Sequence, residues 1–189
     1  MNLNAEQILD ITNGKYLVEP FDDTLYANAV KIDSRKIEAG NLFLAMKGEN
    51  VDGHDYIDAA LNDKASIILC ENDVNDKTIE IAKDRAACII KVDDAKEALQ
   101  NISKVWRNNL MGKVIGITGS VGKTTTKNLM LEALNIKFNV SANDGNYNND
   151  LGLPITLCKS SFDDDFIITE MGMNAPGEIA DLCDIAQPT

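Results

Sequence analysis

Apolar and polar positions along this chain follow patterns that predict strands and helices in turn. Asn4, with Gln7 three residues later and Ala5, Ile8 and Leu9 on one side, marks the start of a first helix. Alternation over residues 25–32 predicts a strand, and residues 41–46 a second. Residues 55–61 have helical spacing, 66–70 read as a short buried strand, and 71–76 as a solvated loop. Residues 87–92 form the next strand candidate, followed by a longer helix through Leu110. In that helix Leu99, Ile102, Trp106 and Leu110 recur at helical spacing, so Trp106 belongs to a core or a domain seam rather than to a base-stacking surface.

The pattern then restarts. A strand over residues 113–118 precedes a glycine-rich turn and a helix over about 124–134. A strand is expected at 136–140, then a polar, turn-rich stretch at 141–150 and an apolar block at 151–158. Residues 166–170 predict another strand, and Pro176 opens a short helix holding Glu178 and Ile179. Strands alternating with helices imply α/β architecture, with a boundary between residues 111 and 112. Only three strands are expected after that boundary. A doubly wound nucleotide domain needs more to cover its sheet, so the second half reads as incomplete and the chain as a fragment.

Composition narrows the function classes. The 189 residues can bury one sizeable core or two modest ones. Eighteen basic against thirty acidic residues, a net charge of −12, argue against a general nucleic-acid binder and against a polybasic membrane patch. One locally positive loop is still compatible with that balance. The first ten residues lack the features of a signal peptide, and no stretch reaches membrane-spanning length, so no membrane insertion and a cytoplasmic location are expected. The four cysteines are widely spaced among apolar neighbours and are expected to be buried free thiols. His54 is the single histidine, which excludes a histidine-rich metal centre.

Candidate chemistry centres on the run Thr118, Gly119, Ser120, Val121, Gly122, Lys123, Thr124, Thr125 between a strand and a helix. Small residues let successive N–H groups turn toward a polyphosphate, and the helix adds its positive end. Lys123 supplies a mobile charge for the outer phosphates, and Thr124 a hydroxyl for magnesium. Ile117 stands where the common pattern has glycine, so the loop is a variant; the competing reading is a glycine-rich turn with no ligand. Glu170, at the end of a predicted strand, can face that loop and help hold the metal, or be an ordinary solvent-facing acid. Asn143, Asn146, Asn148 and Asn149 are turn formers whose amides can also contact a ligand, and the sequence does not choose among them. Ser34 and Arg35 could meet a phosphate, with Lys47, Asp52 and His54 in adjacent turns; turn stabilisation explains them equally well.

Together these segments resemble the ATP-dependent Mur ligases of peptidoglycan synthesis. The resemblance rests on Asp33-Ser34-Arg35, the run from Gly40 to Gly48, Asp52-Gly53-His54-Asp55 and the phosphate loop through Lys127. Asn146 to Pro154 and Glu170 to Ile179 complete it. It implies an N-terminal UDP-substrate-binding domain at 1–111 and, at 112–189, the first part of a central ATP-binding domain. Within the family, the Gly119-Ser120-Val121-Gly122 form and the paired Asn148-Asn149 favour the branch that joins D-alanyl-D-alanine to UDP-N-acetylmuramoyl-tripeptide over the branch that adds the preceding diamino acid.

The resemblance implies ATP and magnesium as cofactors and an acyl-phosphate intermediate. It implies ATP contacts for residues 118–125, catalytic roles for Lys123 and Glu170, and metal ligation by Thr124 and Glu170. It also implies UDP-substrate contacts by Ser34, Arg35, Lys47, Asp52 and His54, with Asn146, Asn148 and Asn149 as further substrate-site candidates. Ala175 departs from the family pattern, where some members carry histidine, so no ligand role is carried over to it. As a fragment, the 189-residue chain is expected not to ligate by itself. The alternative is a non-ligating nucleotide-binding or regulatory ATPase module.

Overall fold

Three short runs, Leu42–Ala45, Ile67–Cys70 and Cys88–Lys91, are buried along nearly their whole length. Runs apolar on both faces can be accommodated only in a sheet covered on both sides, and such sheets are mostly parallel. The computed structural model, which describes residues 1–48, 51–145 and 147–189, builds the first half of the chain around these three runs.

In chain order that half holds β1 (Leu3–Asn4), α1 (Ala5–Thr12), β2 (Lys15–Val18), β3 (Tyr26–Ala27), β4 (Val30–Lys31) and β5 (Leu42–Ala45). It continues with α2 (Ile57–Asn62), β6 (Ile67–Cys70), α3 (Asp76–Asp84), β7 (Cys88–Lys91) and the long α4 (Ala95–Asn109). Short 3-10 turns occupy Ser34–Lys36 and Gly53–Tyr56. The sheet order is β2-β7-β6-β5-β4, parallel throughout except for β2, which runs antiparallel to β7. One cluster of its core packs Phe43, Ile68 and Ile89 with Ile57 and Leu61 of α2 and Ala82 of α3. The expected cap is present: Asn4 accepts from the Gln7 N–H at 2.8 Å while Gln7 accepts from the Asn4 N–H at 3.0 Å.

The second half holds β8 (Lys113–Ile117), α5 (Lys123–Leu134), β9 (Val140–Ala142), α6 (Gly152–Lys159), β10 (Phe166–Glu170) and α7 (Glu178–Ala186). Its three strands form a parallel sheet in the order β8-β10-β9. The chain divides into two units, Met1–Ile102 and Ser103–Thr189, with the division inside α4. Trp106 is a core residue of the second unit, its indole N–H donating to the Ser160 carbonyl at 3.1 Å and its ring edge-on to Phe162. Beside it Arg107, also buried, donates to the carbonyls of Leu110, Ala186 and Gln187, and so closes the C-terminal end of α7.

Several expectations need correction. Residues 25–32 are not one strand: β3 pairs antiparallel with β1, and β4 pairs parallel with β5, so the backbone changes partner at Asn28. The strand expected at 136–140 begins only at Val140, because Ile136 and Phe138 lie in the exposed stretch that ends α5. The helix placed at Pro176 starts at Glu178, and β2 and α3 were not foreseen. All four cysteines are free, as expected, although Cys183 is only half-buried. Burial pushes the Cys70 thiol up to about 11 and those of Cys88 and Cys158 up to about 12, so they stay protonated and inert. Among the described residues no helix is long and apolar enough to cross a membrane.

Candidate functional site

In each unit the candidate residues gather at the carboxyl ends of the parallel strands, where α/β sheets bind ligands. In the second unit the phosphate loop leaves the end of β8, Asn143 follows β9, and Glu170 ends β10. Residues 118–122 are exposed, and Val121 is 89% exposed. Gly122 caps α5 at φ +80°, a conformation that costs an ordinary residue free energy, with open space where a Cβ would sit. Glycine is therefore required here by the turn of the backbone and not by crowding.

The N-cap of α5 is Gly122, which has no side chain to cap the helix. The first bond into the helix is from the Thr126 N–H to the Gly122 carbonyl, which leaves the amides of Lys123, Thr124 and Thr125 at the helix mouth. Lys123 folds back so that its ammonium donates to the Gly119 carbonyl at 2.7 Å. Amides, helix end and lysine thus converge on the space that an anionic group would fill.

Glu170 is 3% exposed and fully engaged. The Thr124 hydroxyl donates to its Oε2 at 2.8 Å and the Asn148 amide to its Oε1 at 3.0 Å. Its own N–H donates to Asn143 Oδ1 at 2.8 Å, while the Asn143 amide donates to the carbonyls of Glu170 and Tyr147. The three described asparagines therefore separate by role. Asn148 reaches the carboxylate, Asn143 holds its main chain, and Asn149 closes the turn that leads into α6 by accepting from the Gly152 N–H at 2.9 Å. Asn146 lies outside the described residues. Asn143 carries more of this site than its sequence neighbours suggested, and only its long-range partners reveal it.

The donor set around Thr124 and Glu170 is all oxygen, and among the described residues no three His, Cys, Asp or Glu side chains converge on a metal-sized space. One carboxylate and one hydroxyl suit magnesium, which keeps waters and takes its remaining ligands from substrate phosphates. The residues present fit that ion. A cavity of about 470 Å³ opens between α5, β9 and α6, lined in part by Lys127, Ser141, Asn143 and Thr156 and by no residue of the phosphate loop.

In the first unit Ser34 and Arg35 follow β4, while Lys47, Asp52 and His54 follow β5, so the fold brings all five to one sheet edge. Arg35 forms a two-pronged pair with Asp33, at 2.8 and 2.9 Å, and remains 87% exposed as a side chain. The hydrogen bond from the Arg35 side chain holds the Asp33 carboxyl below its usual range. His54 is differently placed. Its Nε2 accepts from the Glu71 N–H at 3.0 Å, which leaves the proton on Nδ1 to meet Asp52 at 2.6 Å. Glu71 in turn accepts from the Ala95 N–H at the start of α4. Both ring nitrogens are committed to joining strand-end loops, so His54 braces the edge.

Known proteins match both units. A family description, "Mur ligase family, catalytic domain", fits residues 27–107, and a second, "Mur ligase middle domain", fits residues 117–189. A UDP-N-acetylmuramoyl-tripeptide–D-alanyl-D-alanine ligase from Synechocystis is 40% identical over 96% of this chain and 37% of its own length. The crystal structure of MurF from Acinetobacter baumannii superposes with a TM-score of 0.84 at 29% identity, covering 100% of this chain and 40% of that one. MurF ligase from Thermotoga maritima, solved in complex with ADP, has a TM-score of 0.72 at 34% identity over 89% of this chain and 37% of its own. The chain thus spans about two fifths of the length of these relatives. With both units matched in order and the phosphate loop formed at the expected strand end, the chain belongs to the Mur ligase family.

Proposed function

We propose that this chain forms the UDP-substrate and ATP-phosphate portions of a cytoplasmic ligase that joins D-alanyl-D-alanine to UDP-N-acetylmuramoyl-tripeptide in peptidoglycan synthesis. The observation that carries the reading is the junction at Glu170. There the hydroxyl of the phosphate-loop helix and the amide of the Asn148 loop meet one buried carboxylate. The names of the relatives support the choice of substrates, and the ADP complex of one of them supports the nucleotide.

In this reading residues 112–189 belong to the ATP-binding domain and residues 1–111 receive the UDP end of the substrate. Residues 118–125 hold the ATP phosphates through backbone amides, and Lys123 exchanges its Gly119 carbonyl for a phosphate oxygen, a stronger charge-assisted partner. Thr124 and Glu170 hold magnesium, which when bound supplies charge compensation at the outer phosphates. The substrate carboxylate is itself the nucleophile toward ATP, so this chain needs no side-chain nucleophile. Its share of the work is alignment and electrostatic stabilisation. The carboxylate oxygen takes the γ-phosphoryl group as ADP leaves; an amine then attacks the acyl carbon, the C–O bond to phosphate breaks, and inorganic phosphate and the amine proton are released. Asn148, already bonded to Glu170, is the candidate substrate contact on this side. In the first unit Ser34, Arg35 and Lys47 supply substrate contacts, while Asp52 and His54 hold the loops that present them.

Calorimetry on the 189-residue chain tests this. Binding of UDP-N-acetylmuramoyl-tripeptide together with magnesium-dependent binding of ATP is the expected result. ATP binding with no affinity for the UDP-linked peptide would overturn the ligase reading in favour of a nucleotide module that does not ligate.

A further inference from the structure

The only buried residue of the twelve in α5 is a lysine, Lys127, at 4% exposure. Its ammonium donates to the Asn143 carbonyl at 2.7 Å, and among the described residues no carboxylate lies within ion-pair distance of it. Lysine is rarely this buried without a charged partner, because stripping water from an ammonium is costly. An apolar side chain at 127 would pack α5 against the sheet without that cost. What the apolar side chain could not do is hold the carbonyl of Asn143.

That carbonyl sits on the residue that fixes Glu170. Asn143 accepts from the Glu170 N–H and donates to the Glu170 carbonyl, so the two residues are joined by a pair of main-chain-directed bonds. Lys127 and Thr124 are three residues apart on α5 and so share a helix face. One turn of the phosphate-loop helix therefore reaches Glu170 by two routes: Thr124 directly, at the carboxylate, and Lys127 through Asn143, at the backbone. We propose that Lys127 is a positioning residue, a buried tie between α5 and the asparagine loop that sets the Glu170 carboxylate for magnesium. This rests on the magnesium role proposed above for Glu170.

The backbone at the end of β10 and just beyond it supplies an internal control. The amides of Glu170 and Gly172 bond to the loop, at Asn143 Oδ1 and the Asn148 carbonyl. The amide of Met171 between them bonds to the Ile117 carbonyl at the end of β8. Amide hydrogen exchange of the wild-type chain and of Lys127→Met, read by NMR, separates the amides that face the loop from the one that faces β8. In Lys127→Met the Glu170 and Gly172 amides are expected to exchange at least about tenfold faster, with Met171 nearly unchanged. Equal protection of all three in both proteins would overturn the proposal, as would uniform acceleration of all three, which would make Lys127 a general packing residue. Should Lys127→Met be too unstable, Lys127→Gln, which keeps a donor and loses the charge, is read at the same three amides.

Calorimetry adds a second readout. The Lys127→Met loss is expected to be confined to the magnesium-dependent part of ATP affinity, at about tenfold. An equal loss with and without magnesium would overturn the route through Glu170. The role of Glu170 itself is judged separately by Glu170→Gln. If that variant keeps the full magnesium dependence, the magnesium reading falls, while the exchange pattern alone still decides whether Lys127 ties the loop.

Discussion

Thr124 and Glu170 stand 46 residues apart in sequence, and their side chains meet at 2.8 Å. The hydroxyl donates to a carboxylate that is otherwise held by Asn148, so the two oxygens are already beside each other before any ion arrives. Glu170→Gln, nearly identical in size, is expected to abolish the magnesium dependence of ATP binding while leaving the fold intact. Lys123→Ala is expected to weaken ATP affinity with or without magnesium, by about 1.5–3 kcal/mol for a lost charge-assisted contact. Titration calorimetry at two magnesium concentrations checks both.

Two glycines make a contrasting pair. Gly122 has φ +80° with open space around it, so Gly122→Ala meets only backbone strain, about 1–2 kcal/mol. Gly152 has no such φ, but a Cβ there would lie 2.3 Å from Tyr147 Cα, and Gly152→Ala must displace the asparagine loop. Its cost is expected to be about 3 kcal/mol, at the upper end for overpacking. Urea unfolding of both variants is expected to rank Gly152→Ala as the less stable.

His54→Phe fills a similar volume but removes the acceptor for the Glu71 N–H and the side-chain donor to Asp52. A loss of about 1–3 kcal/mol is expected, the cost of a buried donor left without a partner. The Asp52 carboxyl is held low first by the backbone N–H of residue 54 and then by the ring. The variant keeps the backbone bond, so an NMR titration of Asp52 is expected to show only part of the downward shift lost.

Acid should destabilise the first unit in a way that traces to named carboxylates. The Asp58 carboxyl is held below its ordinary 3.8, first by the hydrogen bond from Lys77 and then by that from Thr78. Its folded form binds a proton less readily than its unfolded form. The contribution is therefore complete above the unfolded value and is lost as pH falls through the folded one. Asp33 and Asp73 are lowered in the same sense by Arg35 and Lys91. Melting curves from about pH 6 down to about pH 3 are expected to show falling stability, and Asp58→Asn is expected to flatten that fall in part.

What the sequence made legible was what short-range pattern encodes. The buried strands β5, β6 and β7 announce themselves by unbroken apolar runs, and the phosphate loop by glycines and a lysine at fixed spacing. Helix α3 escaped notice because its apolar positions, Ile79, Ile81 and Ala82, are diluted by charged neighbours; its Asn75 cap was the available signal. Residues 25–32 alternate like one strand, and nothing local records that their two halves pair with different strands. The division of labour among Asn143, Asn148 and Asn149 was equally hidden, since it depends on partners 27, 22 and 3 residues away. Nothing in the sequence sets Lys127 apart from the rest of its motif, because burial of a lysine on a helix leaves no mark in the spacing of its neighbours.

The anchoring of Glu170 at both its main chain and its carboxylate has a consequence for the energetics of loading. A carboxylate on a loose loop would have to be gathered in with its rotamers frozen at the moment of capture. Here that entropy has already been lost on folding, since Asn143, Asn148 and Thr124 hold the side chain in one geometry. In the proposed magnesium role, what this pair must still do is turn the Thr124 hydroxyl proton away from Oε2, a rotation that moves no backbone. The second unit therefore resembles a preset electrode more than a closing hand.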